Sequence, residues 1–241
     1  MSENREFTLD QLTGRVQTHL VGICDPPGAL HREAAGPYLA MQAAAAAEGI
    51  RLSAFSSFRD FDRQLRIWND KYRGKRPLQD RAGQPLDALA LTPAKRVEAI
   101  LWWSALPGAS RHHWGTDFDV VDAAAMPAGY RLRVVPEEYG PGGPFHRLTT
   151  WLDAHMHAFG FFRPYTSDRG GVAPEPWHLS YAPVAQHAQA ALTAERLRGV
   201  LAAAEMDGKA EVLAMLEQAF TNYVVNVDPA PEPALLSPRL S

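Results

Sequence analysis

Ser110-Arg111-His112-His113-Trp114-Gly115-Thr116-Asp117-Phe118-Asp119-Val120-Val121-Asp122 is the stretch on which the reading of this 241-residue chain turns. It brings two histidines and three carboxylates together around a glycine, in a turn that leads into a strand over residues 117–121. Neutral imidazole and carboxylate both suit Zn²⁺, and a catalytic zinc takes three protein ligands while keeping a position for water.

Composition narrows what such a turn can bind. The single cysteine, Cys24, excludes an intramolecular disulfide and a multi-cysteine zinc finger, so any metal must be held by histidine and carboxylate. With 24 Lys+Arg against 27 Asp+Glu the net charge is −3, which argues against a nucleic-acid binder relying on a broad basic face. Hydrophobic residues at 46% and charged residues at 21% are ordinary for a chain that buries a core. The simplest partition is one domain of about 200 residues with appendages.

Working outward, residues 19–23 read as an edge strand before the Pro26-Pro27-Gly28 turn, and Pro37 as the start of an alanine-rich helix that ends at Gly49. Residues 50–55 alternate as a half-buried strand. Asp60 can cap a helix reaching Tyr72, with Phe61, Leu65 and Trp68 at helical spacing. After a loop over 75–85, Thr92-Pro93 opens a helix that runs to Ser104. Further helices are predicted over 145–159, 184–205 and 208–223, and a strand over 177–181. The tail from Asp228 is rich in proline and cannot form helix or central strand. Strands interspersed with helices give an α+β pattern, without the βαβ alternation and glycine loop that a nucleotide cofactor needs. No nucleotide cofactor is indicated.

A second candidate lies at Glu175-Pro176-Trp177-His178, where an acid and an imidazole are three residues apart. Spacing alone leaves open both a metal centre and ordinary surface turns. Considered together, Ser110-x-His112-x-x-Gly115-x-x-x-Asp119 and Glu175-x-Trp177-His178 resemble the signature of the M15 peptidases, the zinc D-alanyl-D-alanine carboxypeptidase family of the VanY-like M15B type. Upstream, Ser56-Ser57-Phe58-Arg59-Asp60 with Gln64 is similar to that family's serine/glycine–aromatic–arginine segment. The sequence departs from the commonest pattern at Asp117, where a small residue often stands, and at Leu179, where a tryptophan often follows the histidine.

The resemblance implies a small central antiparallel sheet flanked by helices. It also implies that His112, Asp119 and His178 ligate zinc, that Glu175 is the catalytic base and that Arg59 acts on a substrate carbonyl or carboxylate. Gln64 and Ser110 are candidate substrate hydrogen-bonders, or braces of the site. The implied reaction is hydrolysis of a peptidoglycan stem peptide or precursor by metal-activated water, releasing a C-terminal D-alanine. Alternatives on the same core are a D-Ala-D-Ala dipeptidase, an endolysin-like endopeptidase and a zinc-stabilised binding module without catalysis. His113 is expected to brace or pack, because neighbours on an extended segment face opposite ways. Asp117 or Asp122 is expected to receive the second ring N–H of a ligand histidine. Trp102 and Trp103 read as helix packing, and Trp114 and Trp177 as possible cleft residues.

The expected organisation is a peptidase core with an N-terminal cap over 1–182, a helical extension packed on it over 183–227 and a proline-rich tail over 228–241. The expected partner is a peptidoglycan peptide, with no nucleic acid, no membrane span and no indication of oligomeric state. The polar stretch Met1–Glu6 shows no signal sequence, so the cytoplasm is the default expectation, or the periplasm if a signal has been removed.

Overall fold

Short antiparallel strands place residues 117–122 in the middle of a sheet, between two layers of helix. The computed structural model describes residues 6–231. The expectations for residues 1–5 and for the tail beyond 231 lie outside the described residues.

The chain begins with α1 (Leu9–Leu12), capped by Thr8, and a hairpin of β1 (Leu20–Cys24) with β2 (Pro27–His31). Next comes α2 (Arg32–Ala47), which begins five residues before Pro37 because the His31 ring accepts the Glu33 N–H and caps the helix there. Then follow β3 (Leu52–Ser56) and α3 (Phe61–Tyr72), whose N-cap Asp60 accepts from the Arg63 N–H at 2.6 Å. The segment expected to be a loop carries a small hairpin of β4 (Leu78–Gln79) and β5 (Pro85–Leu86), and α4 (Pro93–Leu101) starts at the Thr92 cap. A single 3₁₀ turn, Arg111–Trp114, leads into β6 (Asp117–Asp122). Next are α5 (His146–His155), β7 (Phe161–Phe162) and β8 (His178–Tyr181).

The two long helices expected at the end are four: α6 (Ala182–Ala191), α7 (Ala194–Ala203), α8 (Lys209–Ala214) and α9 (Leu216–Tyr223). Thr193 accepts the Arg196 N–H and so starts a new helix where alanine content alone suggested continuity.

The central sheet has the order β3-β6-β8-β7, every pair antiparallel. Alternation along β6 sends Phe118 and Val120 to a core with Tyr38, Leu52, Leu148 and Leu152 from α2, β3 and α5. The same alternation sends Asp117 and Asp119 to the opposite face. A larger core joins Phe61 and Trp68 of α3, Val97 and Ile100 of α4, and Leu197, Val212 and Leu216 of the C-terminal helices. The C-terminal helices therefore bury apolar surface against α3 and α4, which stabilises both at about 25 cal/mol per Å². Among the described residues no helix is long and apolar enough to cross a membrane.

Candidate metal centre

The register of β6 on β8 sets Asp119 directly opposite His178 and Asp117 opposite Ser180. His112 arrives from the 3₁₀ turn, which Gly115 closes in the left-handed region at φ 68°. Glycine is required there for a second reason: its carbonyl accepts the His31 N–H at 2.7 Å, and a Cβ would stand 2.8 Å from that same nitrogen. One ligand atom from each of His112, Asp119 and His178 lies within 4.8 Å of the others, and all three residues are buried.

Hydrogen bonds fix which ring nitrogens face that point. His112 Nδ1 is 2.9 Å from the Ser57 carbonyl, and His178 Nε2 is 3.1 Å from Asp117 Oδ1. Both partners are pure acceptors, so those nitrogens carry the protons. His112 Nε2 and His178 Nδ1 are left toward Asp119, at 3.5 Å from Oδ2 and 3.0 Å from Oδ1. The donor set thus fits zinc: two imidazoles with the outer N–H tied to an oxygen, and one carboxylate.

Opposite charges face one another across the cluster. Burial works against charge on the His178 ring, but the flanking Asp117 and Asp119 outweigh it and raise its pKa to about 10. Burial likewise opposes ionisation of Asp119, yet His112 and His178 hold its carboxyl well below the usual range. His112 itself is lowered, chiefly by burial.

Asp117 is the acceptor expected for a ligand ring N–H, and its own support is extensive. Its carboxylate receives Arg111 Nε at 2.7 Å and the Thr116 hydroxyl at 2.5 Å. Arg111 extends the network to Ser180 Oγ at 2.7 Å and Gln189 Oε1 at 2.6 Å, which ties the His178 ring to α6. Asp122 does not take part; its carboxylate accepts the Arg51 and Ala124 N–H groups on the far side of the sheet.

Glu175 stands half-buried beside the cluster, with Oε2 3.5 Å from His178 Nδ1. Its backbone is pinned in a turn: Glu175 N–H donates to the Tyr165 carbonyl at 2.9 Å and His178 N–H to the Glu175 carbonyl at 3.1 Å. Withdrawal from solvent pushes the Glu175 carboxyl up to about 7, with His178 acting in the opposite sense.

Arg59 follows β3 and is locked at both backbone groups, by the His112 carbonyl at 3.2 Å and by the His113 ring at 2.6 Å. His113 Nε2 also accepts the Gly108 N–H at 3.1 Å. His113 is therefore a fully used brace. The segment is a 3₁₀ turn and not extended, so strand alternation is not the reason it turns away from the cluster. The Arg59 guanidinium donates to Gln64 Oε1 at 2.8 Å and to Ser56 Oγ at 3.3 Å. Gln64 is completely buried and passes its own N–H to the Ala105 carbonyl at 2.7 Å, so it holds Arg59 and has no surface for substrate. Ser110 lines the cleft.

The cleft above these groups encloses about 500 Å³. Trp177 lines it as expected, whereas Trp114 is fully buried in the helical core beneath Arg111. Trp103, expected as helix packing, falls beyond the end of α4 and lines the cleft. Three cleft residues had no sequence signal: Tyr165, whose ring packs edge-on at 5.2 Å from His178, and the cations Arg63 and Lys71. Tyr165 sits in a loop without periodicity, and a cation on an amphipathic helix reads as a solvated face.

A family model described as VanY: D-alanyl-D-alanine carboxypeptidase matches residues 28–184. An uncharacterized protein of Haemophilus influenzae is 35% identical over 122 residues, which are 50% of this chain and 93% of that protein. A D-alanyl-D-alanine carboxypeptidase of Enterococcus faecalis is 28% identical over 144 residues, covering 57% of this chain and 42% of that longer protein. Among solved structures, VanYB in complex with D-alanine-D-alanine shares 22% identity at a TM-score of 0.50, over 70% of this chain and 80% of its own. A vancomycin-resistance D,D-pentapeptidase VanY variant in complex with Zn(II) shares 22% identity at a TM-score of 0.50, over 76% and 92%. At this identity the two structures share the fold.

Proposed function

The chain belongs to the VanY family of D-alanyl-D-alanine carboxypeptidases, and we propose from that premise that it is a zinc-dependent carboxypeptidase of peptidoglycan stem peptides or their precursors. The observation that carries this reading is the convergence of His112, Asp119 and His178 within 4.8 Å, with Glu175 3.5 Å from one of them in the same cleft.

His112 Nε2, His178 Nδ1 and an Asp119 oxygen would hold the ion. Zinc, when bound, polarises a carbonyl and lowers the pKa of water from 15.7 to about 7. Glu175 takes a proton from the attacking water and delivers it to the leaving amine of the terminal D-alanine. Burial, which favours the neutral carboxyl, suits a group that must both accept and release that proton. Arg59 donates to the scissile carbonyl oxygen as negative charge develops there, and its fixed fork needs no reorganisation because Gln64 and Ser56 already aim it. Asp117 and Arg111 keep the His178 ring in one tautomer. Tyr165 and Trp177 line the cleft beside these groups.

The test is mass spectrometry of muropeptides incubated with the zinc-loaded protein. Loss of one alanine from a D-Ala-D-Ala terminus is expected. Release of the dipeptide, or cuts only at internal cross-links, would replace the carboxypeptidase assignment with the dipeptidase or endopeptidase one.

A further inference from the structure

Residues 164–175 lead from β7 to Glu175 without helix or strand, and the loop closes on itself where the Tyr165 carbonyl accepts the Glu175 N–H at 2.9 Å. Tyr165 meets the reaction centre twice, through that carbonyl and through its ring, which packs edge-on against His178. A loop of this kind has no ladder of its own, so whatever pairs with its backbone sets the position of Glu175.

The partner is the strap over residues 225–230, which follows α9. Asp228 grips the chain on both sides of Tyr165: its N–H donates to the Pro164 carbonyl at 2.9 Å, and its Oδ2 accepts the Thr166 N–H at 2.7 Å and the Thr166 hydroxyl at 2.5 Å. Asp228 Oδ1 also receives Arg169 Nη1 at 3.3 Å, and Asn226 binds the same arginine, accepting from Nε at 3.1 Å and donating to its carbonyl at 2.9 Å. Arg81 holds the loop farther out, at Asp168 and the Gly171 carbonyl. Gly171 runs so close to the end of α9 that a Cβ would stand 2.1 Å from the Asn222 carbonyl oxygen. Pro229 disfavours helical backbone at Asp228, so the chain crosses the loop as an irregular strap instead of prolonging α9. Tyr223 and Val224 anchor the start of the strap in the helical core. Beyond them the strap borders a cavity of about 510 Å³ shared with Gln186 and Gln189 of α6, so hydrogen bonds and not close packing on that side fix it to the loop. The supports of the zinc ligands, Ser57 and Asp117 with Arg111, are separate from these contacts. Metal retention and placement of the base can therefore be lost independently.

We propose that Asp228 is a positioning residue for the reaction: by clamping the two neighbours of Tyr165, it holds Glu175 and the Tyr165 ring in place beside the zinc ligands. The family match ends at residue 184, so the clamp is supplied by chain outside the matched segment. The inference rests on the peptidase reading and extends its machinery to the C-terminal strap.

The experiment compares zinc-loaded wild type, Asp228→Ala and Asp228→Asn for zinc content, melting temperature, D-alanine release from a peptide ending in D-Ala-D-Ala, and amide hydrogen exchange over residues 164–178. Asp228→Ala is expected to keep its zinc and to melt near the wild type. Its kcat should nevertheless fall by about 10–100-fold with a smaller change in KM, since a misplacement of about 1 Å at a reacting group can cost about 10²-fold. Exchange across the loop should quicken, because its backbone loses the acceptor that holds Thr166. Asp228→Asn keeps an oxygen for the Thr166 N–H and should recover most of the lost kcat. Wild-type kcat in Asp228→Ala, a loss that merely follows zinc loss or global unfolding, or an Asn variant no better than Ala would each overturn the clamp. If the zinc-loaded wild type releases no D-alanine, the peptidase reading falls, and exchange still decides the clamp: faster exchange in Asp228→Ala upholds it and unchanged exchange removes it.

Discussion

The two walls of this cleft are built on opposite rules. On the sheet wall, His112, His113, Asp117, Asp119 and His178 are buried and their polar atoms are held by named partners down to Arg111 and Gln189. On the opposite wall Arg59, just before α3, is held by Gln64 and Ser56, but the side chains of Arg63 and Lys71 on α3 have no such partner among the described residues. A metal-binding and proton-transferring site needs fixed tautomers and sub-ångström placement, and buried hydrogen bonds supply both. A recognition surface needs charge that is free to meet its partner. The contrast puts the proposed reaction geometry on the sheet and leaves unpartnered charge on the helix, and substitutions on each wall should therefore fail in different ways.

The largest effect is expected on the sheet wall itself. His112→Ala or His178→Ala should abolish zinc retention and peptidase activity together, measured by elemental analysis and peptide release on the same preparations. A variant that keeps stoichiometric zinc would remove that residue from the ligand set.

One step behind the ligands, Asp117→Ala should weaken zinc affinity by about 10–100-fold, because the His178 ring loses the oxygen that fixes its proton. It also strands the buried Arg111 guanidinium without its carboxylate, which should lower folding stability by about 3–5 kcal/mol in denaturant unfolding. If affinity and stability are both unchanged, the support network has been misjudged.

A subtler effect belongs to the helix wall. Burial lowers the Lys71 ammonium to about 8, with Glu175 opposing the shift. The charge is present below that value and lost above it. The preference for an acidic over an isosteric neutral peptide should therefore decline as pH rises through about 8, read as a ratio of kcat/KM so that general effects cancel. A ratio that is flat to pH 10 would show that the Lys71 charge takes no part in reading the substrate.

The same division explains what the sequence made legible. Asp60 and Thr92 announce α3 and α4 because side-chain caps are local chemistry, and β6 is visible from its own residues. The hairpin strand at Pro27–His31 lacks alternation, and α2 is capped by an imidazole, so neither that strand nor the first turn of α2 had a local signal. Pro37 looked like a helix start but lies within α2. In the site, the spacing of His112, Asp119, Glu175 and His178 could be seen together because they fall in two short motifs. Arg111 and Gln189 meet only through the packing of α6 on the sheet, 78 residues apart, which no spacing encodes. Arg63 and Lys71 carried no signal because nothing in the sequence shows which face of α3 overlooks the cleft.

The most direct test of the account is zinc content and turnover in Glu175→Gln. Glu175 touches the cluster at 3.5 Å without belonging to the ligand set, so the variant should bind zinc as the wild type does. Its D-alanine release should fall by about 10²–10⁴-fold, the usual contribution of a positioned general base. Turnover at the wild-type rate with zinc in place would contradict the assignment of the base, and with it the reading of this cleft as a metal-assisted carboxypeptidase.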